Sequence, residues 1–218
     1  MIQPSSRRRF GVPAVAILVA AAIGGAVGWA AGGRADDRGP TDGVPRPIAA
    51  VSPSVPVFRP YSPDIDYPAL ETHLSFVTRT IGQPNYQWKY SVPQGWVASD
   101  LGINEIRWEP AGEPDGGYFL RVKLISSHLT PPQMAQQKFA ALNDCCLDVV
   151  PIQQQWDTLG VTYRAPGTNT KRWDIFRWLT AAGSDEAEFE MSVGGREVDD
   201  PGLQNLLTKV AASVGKVS

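Results

Sequence analysis

Residues that bind metals or form disulfides are scarce in this chain. It has two cysteines and two histidines among 218 residues. The cysteines, Cys145 and Cys146, are adjacent, whereas the histidines, His73 and His128, are isolated. Zinc sites and disulfide frameworks need clusters of such side chains at set spacings. The sequence therefore predicts no metal ion and no cofactor.

A surplus of positive charge is also missing. Lys and Arg total 20 against 22 Asp and Glu, for a net charge of −2. Binding to a nucleic-acid duplex requires excess cations that displace the counterions around phosphate. We therefore expect no nucleic-acid partner.

Sequence motifs for catalysis are absent as well. The chain contains no H-E-x-x-H, paired Cys-x-x-Cys, Walker or dinucleotide-binding motif. Ser127 and His128 are adjacent, so on an extended chain their side chains point to opposite faces. Ser126 shares a face with His128, but no carboxylate is identifiable to orient the imidazole. The sequence predicts a protein that is not an enzyme, with no catalytic, cofactor-binding or metal-binding residues.

The N-terminus carries the strongest positive signal. Residues 10–33 contain no ionisable side chain and follow three arginines, Arg7 to Arg9. About 20 helical residues span roughly 30 Å, the thickness of the hydrocarbon core of a bilayer. The apolar run therefore predicts a transmembrane signal anchor (10–33) at the cell membrane. Because cations resist translocation, the arginines predict that the basic N-terminus (1–9) is cytoplasmic and that the rest of the chain is extracytoplasmic.

An export signal that is cleaved is the alternative for residues 10–33. Ser6-Arg7-Arg8-Arg9-Phe10 resembles the start of a twin-arginine signal, and Gly28-Trp29-Ala30 is an acceptable cleavage site. The apolar run is longer than a typical signal peptide, which favours the anchor. Cleavage would give a secreted protein, so both interpretations place the bulk of the chain outside the cytoplasm.

Small residues recur every fourth position within this segment, at Ala20, Gly24, Gly28 and Gly32. On a helix they share one face, where a second helix can approach closely. Weak self-association through this face is one interpretation, and chance spacing in an Ala- and Gly-rich anchor is the other.

Residues 34–68 are rich in proline, with eight in 35 positions. Proline fixes φ and removes a backbone donor, so neither helix nor sheet propagates through such a segment. We expect an extended, Pro-rich extracytoplasmic tether. A ligand for an aromatic groove of a partner is the alternative.

Residues 69–218 predict a single extracytoplasmic domain dominated by strands. Alternation and β-branched or aromatic content predict eight strands, with the first also fitting a helical face. Thr130-Pro131 and Asp200-Pro201 each predict the start of a helix. In 171–180, Phe176 and Trp178 point to one face and Trp173, Ile175 and Leu179 to the other, so both faces should be covered. The predicted strands are Leu74–Ile81, Tyr86–Val92, Glu105–Glu109, Tyr118–Ser126, Val149–Trp156, Leu159–Arg164, Lys171–Thr180 and Glu186–Val193.

Several polar clusters in this domain have a structural and a functional interpretation. Asp199-Asp200 is expected to cap a helix rather than to form a catalytic pair. Glu186, Glu188 and Glu190 alternate with apolar residues, so we expect a solvated row facing Arg172 or Arg177, with cation binding as the alternative.

Two further features are open in the same way. Cys145-Cys146 fits two small residues after a helix or a vicinal disulfide. The tryptophans are expected to fill the core, Trp96 included, although a glycan or lipid groove would also use them.

The segment Trp88-Lys89-Tyr90-Ser91-Val92-Pro93-Gln94-Gly95-Trp96 resembles the opening of PsbP-like domains, where a strand ends in Pro-x-Gly-Trp. The alternating segment from Arg172 to Trp178 and the Leu-rich C-terminal helix fit as well. The chain is similar to membrane-anchored actinobacterial proteins with this domain and, more distantly, to mycobacterial Lpq lipoproteins, but it lacks their lipidated cysteine. The resemblance implies an α+β fold, an α/β/α sandwich on a central antiparallel sheet.

Together these features predict a membrane-anchored, envelope-facing, non-catalytic binding or interaction module. Its partners would be the membrane and an envelope protein or cell-wall ligand. The alternative is an extracytoplasmic hydrolase or cell-wall-modifying accessory enzyme, for which His128 is the best candidate residue.

Overall fold

A computed structural model describes residues 59–217. The predicted basic N-terminus, the segment 10–33 with Ala20, Gly24, Gly28 and Gly32, and the tether up to residue 58 lie outside the described residues. Among residues 59–217, no helix combines the length and the apolar character needed to cross a bilayer.

The described chain is α+β, with two antiparallel sheets and two α-helices. Helix α1 spans Pro131–Cys145 and helix α2 spans Asp200–Ser213, and a short 3₁₀ turn, Glu197–Asp199, precedes α2. The strands are β1 (Phe76–Gln83), β2 (Tyr86–Pro93), β3 (Trp96–Gly102), β4 (Glu105–Pro110), β5 (Phe119–Leu124), β6 (Leu147–Gln154), β7 (Thr158–Arg164), β8 (Lys171–Thr180), β9 (Ala187–Gly195) and β10 (Gly215–Lys216).

The larger sheet has seven strands in the order β3-β4-β5-β9-β8-β7-β6, and the smaller has three in the order β1-β2-β10. The eight predicted strands are present, shifted by a few residues at their ends, and the ambiguous first one is a strand. Strands β3 and β10 were not predicted. Most of β3 is exposed at a sheet edge, so its sequence lacks the alternation that marks a half-buried strand.

The core lies on both faces of the seven-stranded sheet, as the pattern of β8 predicted. Ile175 belongs to the apolar cluster formed with α2 and the smaller sheet, on what we call the inner face. Phe176 and Trp178 belong to a second cluster with Met134 and Ala135 of α1, on the outer face. The two helices therefore pack against opposite faces of one central sheet.

Both predicted helix starts are confirmed. The N–H of Thr130 donates to the Gln133 side chain, and prolines occupy the first positions of α1, where no donor is needed. In α2 the buried face carries the predicted leucines and valine, Leu203, Leu206, Leu207 and Val210.

The end of the Pro-rich segment is bonded to the domain. The buried guanidinium of Arg196 donates to the backbone carbonyls of Ile65, Tyr67 and Pro68. Arg196 also pairs with the buried Asp199 carboxylate at 2.8 Å. Part of the predicted tether, residues 65–68, is therefore fixed along the folded unit.

Candidate ligand-binding cleft

A buried carboxylate lies on the outer face of the central sheet. Asp174 of β8 is 6% exposed, with Val161 and Gly194 as its cross-strand neighbours. Its Oδ2 accepts a 3.0 Å hydrogen bond from the Tyr163 hydroxyl, and its Oδ1 has no partner among the described residues. Burial raises the pKa of Asp174 to about 6, against the opposing effects of the Tyr163 hydrogen bond and the charge of Arg172. A buried acid with a shifted pKa beside a cleft is a candidate functional group.

Gly194 makes room for this arrangement. A Cβ at that position would collide with the Oδ1 atom of Asp174 and with the ring of Phe119. Phe119 is the neighbour of Gly194 on β5, so the missing side chain lets ring and carboxyl approach each other over the backbone of β9. The glycine is required here by close approach rather than by an unusual φ.

Two arginines hold the loop and the aromatic ring next to Asp174 in place. The Arg172 guanidinium donates to the backbone carbonyls of Gly116 and Gly117 and so ties the β4–β5 loop to the sheet. The Arg107 guanidinium lies 4.0 Å from the centre of the Phe119 ring and is bound to Glu109. A guanidinium over an aromatic face is a favourable cation–π contact, so ring and charge hold each other in place.

A cleft of about 360 Å³ lies next to this group, lined by its Arg107, Phe119, Tyr163 and Arg172 but not by Asp174 itself. Its volume is at the lower end of the range of small-molecule sites. Half-buried aromatic rings, threonine hydroxyls, carboxylates and guanidinium groups line it together, so it offers both donors and acceptors around apolar surface. The lining residues are Asp64, Ile65, Arg107, Asp115, Gly116, Phe119, Tyr163, Ala165, Pro166, Thr168, Thr170 and Arg172.

The end of the Pro-rich segment contributes one wall of this cleft. Asp64 and Ile65 line it, and the Ile65 carbonyl is one of the three that Arg196 holds. The Asn169 side chain donates to the Pro60 carbonyl at 2.9 Å, which fixes the segment on the opposite side to the loop that carries Thr168 and Thr170. The cleft is therefore built from the sheet, two loops and the described end of the tether.

His128 does have a carboxylate partner, which sequence reasoning did not identify. Its Nδ1 lies 2.7 Å from Oε2 of Glu186, and both side chains are well exposed. The neighbouring Ser127 hydroxyl is directed at the sulfur of Met134, 3.3 Å away, and not at the imidazole. His128 has a φ of 56°, so the chain turns here and is not extended as the sequence argument assumed.

The glutamate row was wrongly predicted. Glu190 is buried and bound to Lys138 and to the Trp178 indole, whereas Glu188 contacts Tyr86 and Lys216 on the inner side. None of the three faces Arg172 or Arg177. Glu190 is buried because α1 covers the outer face, where Lys138 reaches it. An irregularity in the β8–β9 register between Leu179 and Thr180 breaks the alternation of faces along β9, so Glu188 and Glu190 contact different faces.

Asp199 does not cap α2 with its side chain, contrary to the expectation. Its carboxylate is fully buried and accepts bonds from Arg196 and from the N–H of Leu70. Burial opposes its ionisation, but these hydrogen bonds outweigh burial and hold the pKa of Asp199 below its ordinary value. It is a structural anchor, and Asp200 separately contacts Gln204.

Trp96 is only half-buried, stacked on Tyr118 with ring centres 6.0 Å apart, so its prediction as a core residue was too strong. Trp88, Trp108 and Trp178 do lie in the core, whereas Trp156 is 59% exposed. Cys145 and Cys146 are bonded to each other as a vicinal disulfide.

The residues of the cleft carried a signal in the sequence that went unused. Asp174 interrupts an apolar run between Trp173 and Ile175, in a strand that was expected to be covered on both faces. A carboxylate at such a position is buried and needs a partner. The partner, Tyr163, is on another strand and could not be found without the β7–β8 register.

No set of three or more metal-binding side chains is grouped within residues 59–217. No family model, curated protein or solved structure matches the chain. The cleft is therefore interpreted from its own chemistry.

Proposed function

We propose that this chain is a membrane-anchored, envelope-facing binding module that holds a polar cell-wall ligand, without catalysis, in the cleft above Asp174. The observation that carries the proposal is the cleft itself, where aromatic, hydroxyl and charged side chains converge on a rigid sheet. Binding sites combine apolar surface with a few placed polar groups in this way. The apolar run 10–33 after Arg7 to Arg9 supports the anchor and the extracytoplasmic location.

We also propose that the domain has a PsbP-like fold. Helices on opposite faces of a central antiparallel sheet are compatible with the α/β/α sandwich of PsbP-like domains. The Pro93-Gln94-Gly95-Trp96 segment that suggested this family forms the turn between β2 and β3. An accessory or binding role, which the resemblance implies, agrees with the mixed apolar and polar lining of the cleft.

Binding of purified cell-wall material tests this proposal. The full chain in detergent should co-sediment with insoluble wall polymer, and Asp115→Arg should weaken that binding by tenfold or more. Asp115 is an exposed cleft residue, so the larger cation would obstruct the cleft without disturbing the core. Asp185→Arg makes the same change at an exposed loop between β8 and β9 and should bind like the wild type. Equal binding by both variants would refute the cleft as the site.

A hydrolase is the second candidate because of one observation, the 2.7 Å contact between His128 and Glu186. A carboxylate that orients an imidazole is a recurrent part of hydrolytic sites. This candidate predicts turnover of envelope substrates that His128→Ala abolishes and that Asp115→Arg leaves unchanged. The binding proposal predicts no turnover by any of these proteins.

A further inference from the structure

The vicinal disulfide lies at the junction of α1 and β6. Cys145 is the last residue of α1, and Cys146 follows it immediately before the strand. The backbone N–H of Cys146 donates to the Leu142 carbonyl and closes the helix at 3.0 Å. Cys145 is an exposed residue and Cys146 is a half-buried one.

Cys145 also lines a cavity of about 590 Å³, next to the ligand-binding cleft. Cys146 is not among the residues that line this cavity. Two guanidinium groups, from Arg59 and Arg164, line the same cavity, with Leu147 and Asn169.

The arginines give this cavity a positive charge. Arg164 is held by Asp148 at 2.7 Å and by the Asn169 side chain, and it stacks 3.9 Å from the centre of the Tyr61 ring. Asp148 pairs with Arg164, and both charged residues that line the cavity are arginines. Arg59 is exposed, so its charge is available to an entering molecule.

We propose that Cys145 is a thiol–disulfide exchange site for a small anionic thiol that enters this cavity. The thiolate of the incoming molecule attacks Sγ of Cys145, and the bond between the two cysteine sulfurs breaks. Cys146 leaves as a thiolate and takes a proton from solvent. The sulfur of the entering thiol is oxidised to the mixed disulfide while Cys146 is reduced, so no further oxidant is needed.

The attack is directed to Cys145 because access decides which sulfur of a disulfide is attacked. The reverse step needs only the Cys146 thiolate, which remains next to the mixed disulfide and releases the bound thiol. Reversible loading of this kind does not require a ligand in the cleft.

The test uses the full chain, purified in detergent without reductant, and two probe thiols of opposite charge. These are 2-mercaptoethanesulfonate, which is anionic, and cysteamine, which is cationic. After a short reaction, free thiols are alkylated and the modified peptides are mapped by mass spectrometry. The proposal expects the probe on Cys145 and the alkyl group on Cys146.

Charge selectivity is measured by comparing each probe's rate between the wild type and Arg59→Ala, because that ratio cancels the intrinsic reactivity of the probe. One unit charge at about 6 Å in water changes a rate about threefold. Arg59→Ala should slow the anionic probe by about that factor and leave the cationic probe unchanged or faster. Lys209→Ala removes an exposed charge from α2 and should change neither rate.

Three results would overturn the proposal. One is recovery of both cysteines as free thiols in the untreated protein. Another is the probe on Cys146, or equally on both sulfurs. The third is the same response of both probes to Arg59→Ala and to Lys209→Ala, which would show that the cavity does not select by charge.

Discussion

At the scale of single residues, the unusual group is the Asp174 carboxyl. It is buried on the sheet, its Oδ1 has no partner in the described part of the chain, and its pKa is raised to about 6. An ionised carboxylate in such surroundings costs stability unless it is fully hydrogen-bonded. The Tyr163 hydroxyl supplies one bond, and the second oxygen is buried without a donor in the described part of the chain.

This placement predicts a dependence of stability on pH. Because the pKa of Asp174 is higher in the folded chain than its ordinary value of 3.8, the folded state binds more protons between about pH 4 and 6. The free energy of unfolding therefore falls as the pH rises through that window, and above it the contribution is fully lost. In denaturant titrations, the wild type should lose on the order of 2–3 kcal/mol relative to Asp174→Asn between pH 4 and pH 7. Tyr163→Phe removes the hydrogen bond that lowers the pKa of Asp174, so its stability should keep falling to a higher pH. Parallel pH curves for the wild type and Asp174→Asn would contradict the raised pKa of Asp174.

Trp96 illustrates how burial sets the energetic role of a side chain. It is half-buried against Tyr118, so its truncation removes less packing than the loss of a core aromatic, which costs about 3–5 kcal/mol. We expect Trp96→Ala to reduce the free energy of unfolding by about 1–2 kcal/mol, since only roughly half of the ring's apolar surface is buried. Trp178→Ala, at a fully buried position on β8, should cost more than twice as much in the same chemical denaturation experiment. Equal losses would mean that the burial of the two rings is wrongly assigned.

At the scale of elements, the Arg196–Asp199 pair joins the start of α2 to the described end of the Pro-rich segment. Arg196 satisfies its donors with Asp199 and with the carbonyls of residues 65, 67 and 68. Without those carbonyls, the buried guanidinium of Arg196 would have donors with no acceptor. This lowers the free energy of unfolding by more than the loss of a hydrogen bond at an exposed position does.

A comparison of two fragments measures this anchoring. The fragment 59–218 keeps the anchored segment, and the fragment 69–218 begins just after it. We expect the shorter fragment to be less stable by about 2–4 kcal/mol in urea unfolding, the magnitude of a few lost hydrogen bonds to a charged group. The substitution Arg196→Met should remove most of the difference between the fragments. Equal stability of the two fragments with Arg196 intact would show that the segment does not contribute.

Sequence patterns predicted the elements better than the contacts between them. Helices α1 and α2 were predictable because Pro at the first position and apolar spacing are local signals. Strand β3 and the break in the β9 alternation were not, because an exposed edge gives no burial pattern and the break depends on pairing with Leu179. The site was missed for the same reason: Asp174, Tyr163 and Phe119 meet through strand register, and Asp64 and Ile65 reach them through the Arg196 anchor.

At the scale of the whole molecule, the cleft lies where the predicted tether meets the domain. Asp64 and Ile65 belong to the Pro-rich segment and also line the cleft. In an anchored protein, a ligand in the cleft would therefore contact the chain that leads toward the membrane. Under the proposed function, binding and attachment would share the same few residues, as a module that holds an envelope component near the membrane surface requires.

Photo-crosslinking in intact cells tests whether the cleft holds cell-wall material. A benzophenone side chain is placed at Thr168, an exposed residue of the cleft, or at Gln137, an exposed residue of α1 on the outer face. We predict that illumination links the Thr168 variant to cell-wall material, shown by a mass shift that wall-degrading enzymes remove, and that the Gln137 variant stays unlinked. A folded, membrane-bound Thr168 variant that gives no wall adduct, or no more than the Gln137 variant, would contradict it.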